Sequence, residues 1–259
     1  MNPDVDDTTA SLRSLKSVTA QNPNYRQVWD RAIQWIISMQ NDDGGWAAFE
    51  KNKDKSFLAW LPVEGGEIML LDPSTPDLTG RTLEFLCHFT QLNKDHPVIR
   101  RSVKWLLQKQ KKDGSWYGRW GICYVYGTWA AVTGLISANV RKNHPSIQNA
   151  KKWLYNIQNR DGGWGESCKS DIEKKYVPLH KSTRTHTAWA VDALIAIEDQ
   201  KTPEIKRGIA FLLETSEKKD WTTTYPKGQS FPGAFYNHYH SYEYLFPLLA
   251  LCQYKKKFC

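Results

Sequence analysis

The sequence predicts an all-α fold, an α/α toroid in which amphipathic outer helices alternate with inner helices buried on nearly every side. Three observations predict it. A helix–turn–tryptophan unit recurs along the chain, helices of a different composition lie between its copies, and strand-like alternation is almost absent. The 259 residues suffice for one domain with a sizeable core, and 41% hydrophobic with 24% charged residues is ordinary for a globular protein. About nine helices are legible, too few to close both rings of a toroid.

The chain opens "MNPDVDDTTA", placing Asp4, Asp6 and Asp7 just ahead of a helical pattern. Such a cluster can be a metal site, a helix cap or a proton donor. As a cap, Asp4 would be the N-cap residue and Asp7 would hold the capping-box position.

The repeat follows. "RAIQWIISMQNDDGGW" at 31–46, "RSVKWLLQKQKKDGSW" at 101–116 and "NAKKWLYNIQNRDGGW" at 149–164 share one template. "RGIAFLLETSEKKDW" at 207–221 keeps only the front half, with Ser216 where the glutamine stood. Each unit reads as a helix ended by Gln40, Gln110 or Gln158, then a glycine turn and a tryptophan. Ala150, Trp153, Leu154 and Ile157 fall on one helical face. Gly44, Gly114 and Gly162 can take positive φ and end the helix, while the glutamine amide satisfies orphaned backbone groups. The tryptophan then covers that polar patch, so these residues are structural.

Between the units lie "DLTGRTLEFLCHF", "YVYGTWAAVTGLISANV", "THTAWAVDALIAIE" and "YEYLFPLLALC", apolar almost all round as inner helices must be. The stretch "SFLAWLPVEGGEIMLL" at 56–71 is apolar, but Pro62, Gly65 and Gly66 break it, so it is neither a regular helix nor a membrane span. No apolar run approaches the ~20 residues a span requires.

Composition narrows the classes further. The net charge of +8 comes from scattered lysines, a solvated basic surface, and no nucleic-acid motif accompanies it. Cys87, Cys123, Cys168, Cys252 and Cys259 are odd in number and lack any C-x-x-C pair, which fits a reducing, cytoplasmic compartment and neither a disulfide framework nor a zinc ribbon.

The repeat resembles the QW motif of triterpene cyclases, and "DVDDTT" resembles the D-x-D-D-T-A signature of their squalene–hopene branch. "GSWYGRWGICYVYGT" and "FPGAFYNHYHSYEYLFP" resemble two further signature stretches, so the likeness runs from Pro3 to about Tyr254. It covers only the carboxyl-terminal portion of those enzymes. It therefore implies one domain, residues 1–259, lacking the first helices of the toroid and a whole second domain. Either a partner chain supplies them, or the chain is an inactive remnant or scaffold. The isolated chain is expected to lack turnover.

The resemblance implies proton-initiated cyclisation of squalene or tetraprenyl-β-curcumene, with no cofactor and no metal. An alkene is a very poor base, so a carboxylic acid protonates it usefully only if the resulting cation is strongly stabilised. Aromatic faces stabilise it without attacking it, each desolvated cation–π contact contributing about 2 kcal/mol. Asp6 is implied as the donor, held by Asp4 and Asp7, since crowded carboxylates raise one another's pKa. Asp77 and Arg81 match family positions that assist the donor. Arg81 stands where hopene-forming enzymes carry histidine, which is reminiscent of Bacillus-type tetraprenyl-β-curcumene cyclases. A permanent cation there makes Asp6 a stronger but less often protonated acid. An Arg–Asp pair is also a plain structural possibility.

Trp120, Tyr126, Phe231, Phe235, Tyr239 and Tyr242 match cation-facing positions. Phe49 stands where hopene cyclases usually carry tyrosine, and losing that hydroxyl removes a polar handle. In the family the loop equivalent to 56–71 borders the substrate entrance near a membrane, so Trp60 and Leu61 are implied either as a peripheral lipid contact or as part of a loop folded onto the core. Two rival enzyme classes fit less well. Ionisation-type terpene synthases need a second metal-binding cluster, and protein prenyltransferases need a zinc set that the isolated His88, His186 and His238 do not supply.

Overall fold

Proline and the residue before it mark where most helices begin. In the computed structural model, which describes residues 3–19, 23–54, 70–231 and 234–259, Pro76, Pro97, Pro145 and Pro203 each open a helix, where a missing N–H costs nothing. His96, His144 and Thr202 precede three of them and accept a backbone N–H from the first turn.

Among the described residues nine helices run 12–17 residues: α1 (Val5–Thr19), α2 (Pro23–Ser38), α3 (Pro76–Phe89), α4 (Pro97–Lys109), α5 (Tyr124–Ser137), α6 (Pro145–Asn156), α8 (Arg184–Ile197), α9 (Pro203–Glu214) and α11 (Tyr242–Phe258). Two short helices, α7 (Lys169–Glu173) and α10 (Trp221–Thr224), lie between them. The inner layer runs α1–α3–α5–α8–α11, each packed on the next, and α2, α4, α6 and α9 lie outside it. This is the α/α toroid arrangement.

The repeat explains how the outer layer is stitched. Gly44, Gly114 and Gly162 all have positive φ. The Gln40 amide donates to Gly44 O at 3.0 Å and to Val98 O of the next outer helix at 2.9 Å. Gln110 does the same with Gly114 O and Ser146 O, both at 2.8 Å, and Gln158 with Gly162 O and Glu204 O. Arg101 and Arg207 close two of these staples by donating to the Gln40 and Gln158 carbonyls. Trp46, Trp116 and Trp164 are wholly buried, and each indole N–H donates to a carbonyl ten residues earlier, on the preceding helix. The expected staple is thus stronger than the spacing implied, because it joins consecutive outer helices. Trp221, in the unit without glutamine and glycine, is 52% exposed.

Inside, α3 and α5 approach so closely that a Cβ on Gly80 would lie 2.2 Å from Ala130 O. Two features differ from the expectation. Two antiparallel ribbons are present: β1 (Trp164–Glu166) with β2 (Pro178–Thr183), and β3 (Gly228–Phe231) with β4 (Phe235–Asn237). Strands of three to six residues are too short for a period to register. The second difference is α11, expected to be buried all round. Tyr244, Leu245, Leu248 and Leu249 form an exposed apolar flank on it.

Candidate active site

The inner helices, β3 and adjoining loops border an open cavity of about 730 Å³, lined by Asp4, Asp6 and Asp7 together with Phe49, Leu78, Trp120, Tyr126, Gln229, Tyr239 and Tyr242. The acids sit there because α1 starts there. Asp4 Oδ1 accepts the Asp7 N–H at 2.8 Å and its carbonyl accepts that of Thr8, so Asp4 is the N-cap. Burial, chiefly, pushes the Asp4 carboxyl up to about 6, with Asp6 and Asp7 adding like-charge repulsion against the opposing pull of the Asp7 N–H.

Asp6, in the first turn of α1, accepts the Arg81 Nε–H at 2.6 Å. Burial, the largest single influence, acts to lower the Arg81 pKa, but the charge and hydrogen bond of Asp6 together with Tyr126 and Tyr242 turn the net shift upward. The guanidinium also stands 5.5 Å from the Trp129 ring centre. The sequence-derived pair Asp6–Arg81 is therefore in contact.

Asp77 is completely buried and belongs to the layer behind the cavity. Its Oδ2 accepts the Trp120 backbone N–H at 2.9 Å, and burial, against the opposing pull of neighbouring hydrogen-bond donors, raises its pKa. It fixes the backbone that carries Trp120. Trp120 in turn meets Phe49 edge-on at 5.7 Å, and Tyr239 lies over Tyr242 at 4.8 Å. Tyr126 packs against Trp189 at 4.8 Å behind the wall.

One aromatic expectation, Phe235, is not met by a ring in the wall. Phe235 is 62% exposed and absent from the cavity lining, because β4 turns it outward. The Phe231 side chain, like Trp60 and Leu61, lies outside the described residues.

Several residues that position the site carry no sequence motif. Asp72 accepts the backbone N–H groups of Ala48, Phe49 and Glu50, holding the Phe49 loop. Glu166 accepts those of Cys123, Tyr124 and Val125 at the start of α5, next to Tyr126. Burial raises Glu166 to about 6. Glu50, Leu70, Leu71, Asp72, Arg119 and Ser230 complete the lining together with Gln229. Only a buried carboxylate facing a helix start, as Glu166 does, is foreseeable in kind, and the partners of Asp72 and Glu166 lie some 22–43 positions away. Among the described residues no three His, Cys, Asp or Glu side chains form a metal-ligand set.

A profile of the "Squalene-hopene cyclase C-terminal domain" family matches residues 1–256. The chain is 51% identical over 253 residues to the sporulenol synthase of Bacillus subtilis, covering 98% of this chain and 39% of that protein. It is 42% identical to the squalene–hopene cyclase of Alicyclobacillus acidocaldarius, covering 98% of this chain and 40% of that protein. The fold matches the type II terpene cyclase MstE from Scytonema with a TM-score of 0.66 at 16% identity, over 98% of this chain and 73% of that one. The chain thus spans about two fifths of the length of the curated relatives it matches.

Proposed function

Because the chain belongs to the squalene-hopene cyclase C-terminal domain family, we propose that it is the acid-bearing part of a class II polyene cyclase. The observation that carries this reading is the cavity itself, whose lining brings Asp4, Asp6 and Asp7 together with Phe49, Trp120, Tyr126, Tyr239 and Tyr242. Asp6 gives its carboxyl proton to a terminal alkene carbon. The π pair of that double bond forms the new C–H bond and leaves a tertiary cation. Each following double bond then attacks in turn, and loss of a proton or capture of water ends the sequence.

The parts suit that task. Arg81 holds one Asp6 oxygen, leaving the other for the transferable proton. Asp4, whose carboxyl is raised to about 6, is the nearby group that takes up a proton more readily than an ordinary carboxylate and can return it to Asp6. Trp120, Tyr126, Tyr239, Tyr242 and Phe49 offer π faces to the migrating charge, each worth about 2 kcal/mol once water is excluded. Phe231 is assigned to the same wall by resemblance. The substrate class is a linear or partly cyclic C30–C35 polyprene, squalene or tetraprenyl-β-curcumene, and no cofactor is required.

The exposed flank of α11, Leu245, Leu248 and Leu249, and Leu15 and Val18 at the far end of α1 are apolar surfaces at the two ends of the inner layer. Burying them suits a further cyclase portion, in the same polypeptide or a separate one. No helix among the described residues is long and apolar enough to cross a membrane. A hydrocarbon substrate suits delivery from a membrane surface at the cytoplasmic face.

Incubating the chain with squalene or tetraprenyl-β-curcumene, alone and with the amino-terminal portion of a relative, tests the reading by mass spectrometry. Cyclised product is expected only from the mixture. Product from the chain alone would contradict the need for a second portion. Absence of product from a folded mixture would favour a non-catalytic scaffold.

A further inference from the structure

The cavity wall contains a hairpin, β3–β4, whose two ends meet in a buried charge cluster that the cyclisation chemistry does not use. Lys227, immediately before β3, is completely buried. Its ammonium reaches Glu243 Oε1 at 2.5 Å, Thr222 O at 2.9 Å and Thr223 O at 3.0 Å, so all three donors are used. Glu243, in the first turn of α11, is also buried and accepts further bonds from Thr185 Oγ at 2.8 Å and Arg184 Nε at 3.2 Å. Arg184 then donates to Ser216 O and Lys218 O.

The backbone of Lys227 is held as firmly. Its carbonyl accepts the Ile122 N–H at 2.8 Å, and its N–H donates to Asn237 O at the far end of the hairpin. Two residues on, the Gln229 N–H donates to Trp120 O at 2.9 Å. One residue therefore joins the hairpin, the 120–122 segment and α11, which carry Trp120, Gln229 and Tyr242 into the cavity, with Tyr239 on the short link between β4 and α11.

Fully buried charges are retained at a cost in desolvation, and a well-packed apolar cluster would hold the same elements for less. What a directional cluster supplies is one fixed arrangement. We propose that Lys227 and Glu243 are positioning residues that clamp both ends of the β3–β4 hairpin and so set the separation of the Trp120 and Tyr239–Tyr242 faces across the cavity. The proposal rests on the cation-holding reading of that cavity for its functional consequence, while the clamp itself is independent of it.

The test uses the whole chain with Lys227→Met and Glu243→Gln. Amide exchange is followed at 228–231, 235–237 and 120–122, with α3 and α5 as internal references. Affinity for dodecyltrimethylammonium, a cation probe, is compared with that for neutral dodecanol. Each variant is expected to speed exchange in the hairpin and 120–122 about tenfold with the references unchanged. The preference for the ammonium probe should also fall by about tenfold. Unchanged hairpin exchange, or equal acceleration in α3 and α5, would overturn the clamp. Should Lys227→Met fail to fold, exchange in the isosteric Glu243→Gln decides between the same two outcomes. A wild-type chain with no ammonium preference would count against the cavity reading, and exchange would still decide the clamp.

Discussion

Arg81 donates its Nε–H to Asp6 across 2.6 Å, from α3 to the first turn of α1, while its guanidinium lies near the Trp129 ring. A histidine in that place would switch charge near neutral pH, whereas arginine remains a cation throughout. The pair is mostly shielded from water. Removing one partner therefore leaves a poorly solvated charge.

Arg81→Met is accordingly expected to destabilise the fold by about 2 kcal/mol, less than for a fully buried pair because Asp6 keeps some exposure. Equilibrium urea unfolding of the two chains measures it. A change under about 0.5 kcal/mol would place the pair among ordinary surface contacts.

Asp4→Asn separates capping from acidity, since asparagine caps as well as aspartate. The folded Asp4 pKa of about 6 lies above its unfolded value of 3.8. The native state thus binds more protons between those values, and its stability relative to the variant falls as pH rises from about 4 to 6. Unfolding curves across that range should diverge in favour of Asn. Parallel curves would mean the carboxyl titrates alike in both states.

Gln40→Leu leaves the Gly44 and Val98 carbonyls and the Arg101 guanidinium without their buried partner. A loss of about 2–4 kcal/mol is expected. Gly80→Ala should also cost more than about 2 kcal/mol, because the methyl would meet Ala130 O on α5. Thermal unfolding compares both with Trp221→Phe, which touches no staple and should be nearly neutral.

Much of this architecture was legible in the chain. The Gly–x–Trp turns and glutamines announced the outer layer because both obey local rules, positive φ and helix-end hydrogen bonding. The Asp6–Arg81 contact and the Trp120–Tyr126 wall followed from resemblance rather than spacing. Asp72, Glu166 and the Lys227–Glu243 pair escaped because each depends on a partner distant in sequence, and no periodicity encodes such a pairing. Phe235 shows the opposite failure. Its motif position suggested the cavity, yet β4 turns it to solvent.

The exposed flank of α11 provides a separate test. Leu248→Lys with Leu249→Lys should leave unfolding of the chain alone within about 0.5 kcal/mol, since both residues are exposed. The same double variant should weaken association with the amino-terminal portion of a relative by at least about tenfold, read by calorimetry. Undiminished association would place that contact elsewhere.

The most direct measurement follows the proton. Squalene or tetraprenyl-β-curcumene is converted in D2O by the chain together with its complementing portion, and the cyclised product is weighed. The account predicts one solvent deuterium on the carbon of the initiating alkene, with product lost in Asp6→Asn. Product free of deuterium at that carbon, or formed undiminished by Asp6→Asn, would contradict proton delivery from Asp6.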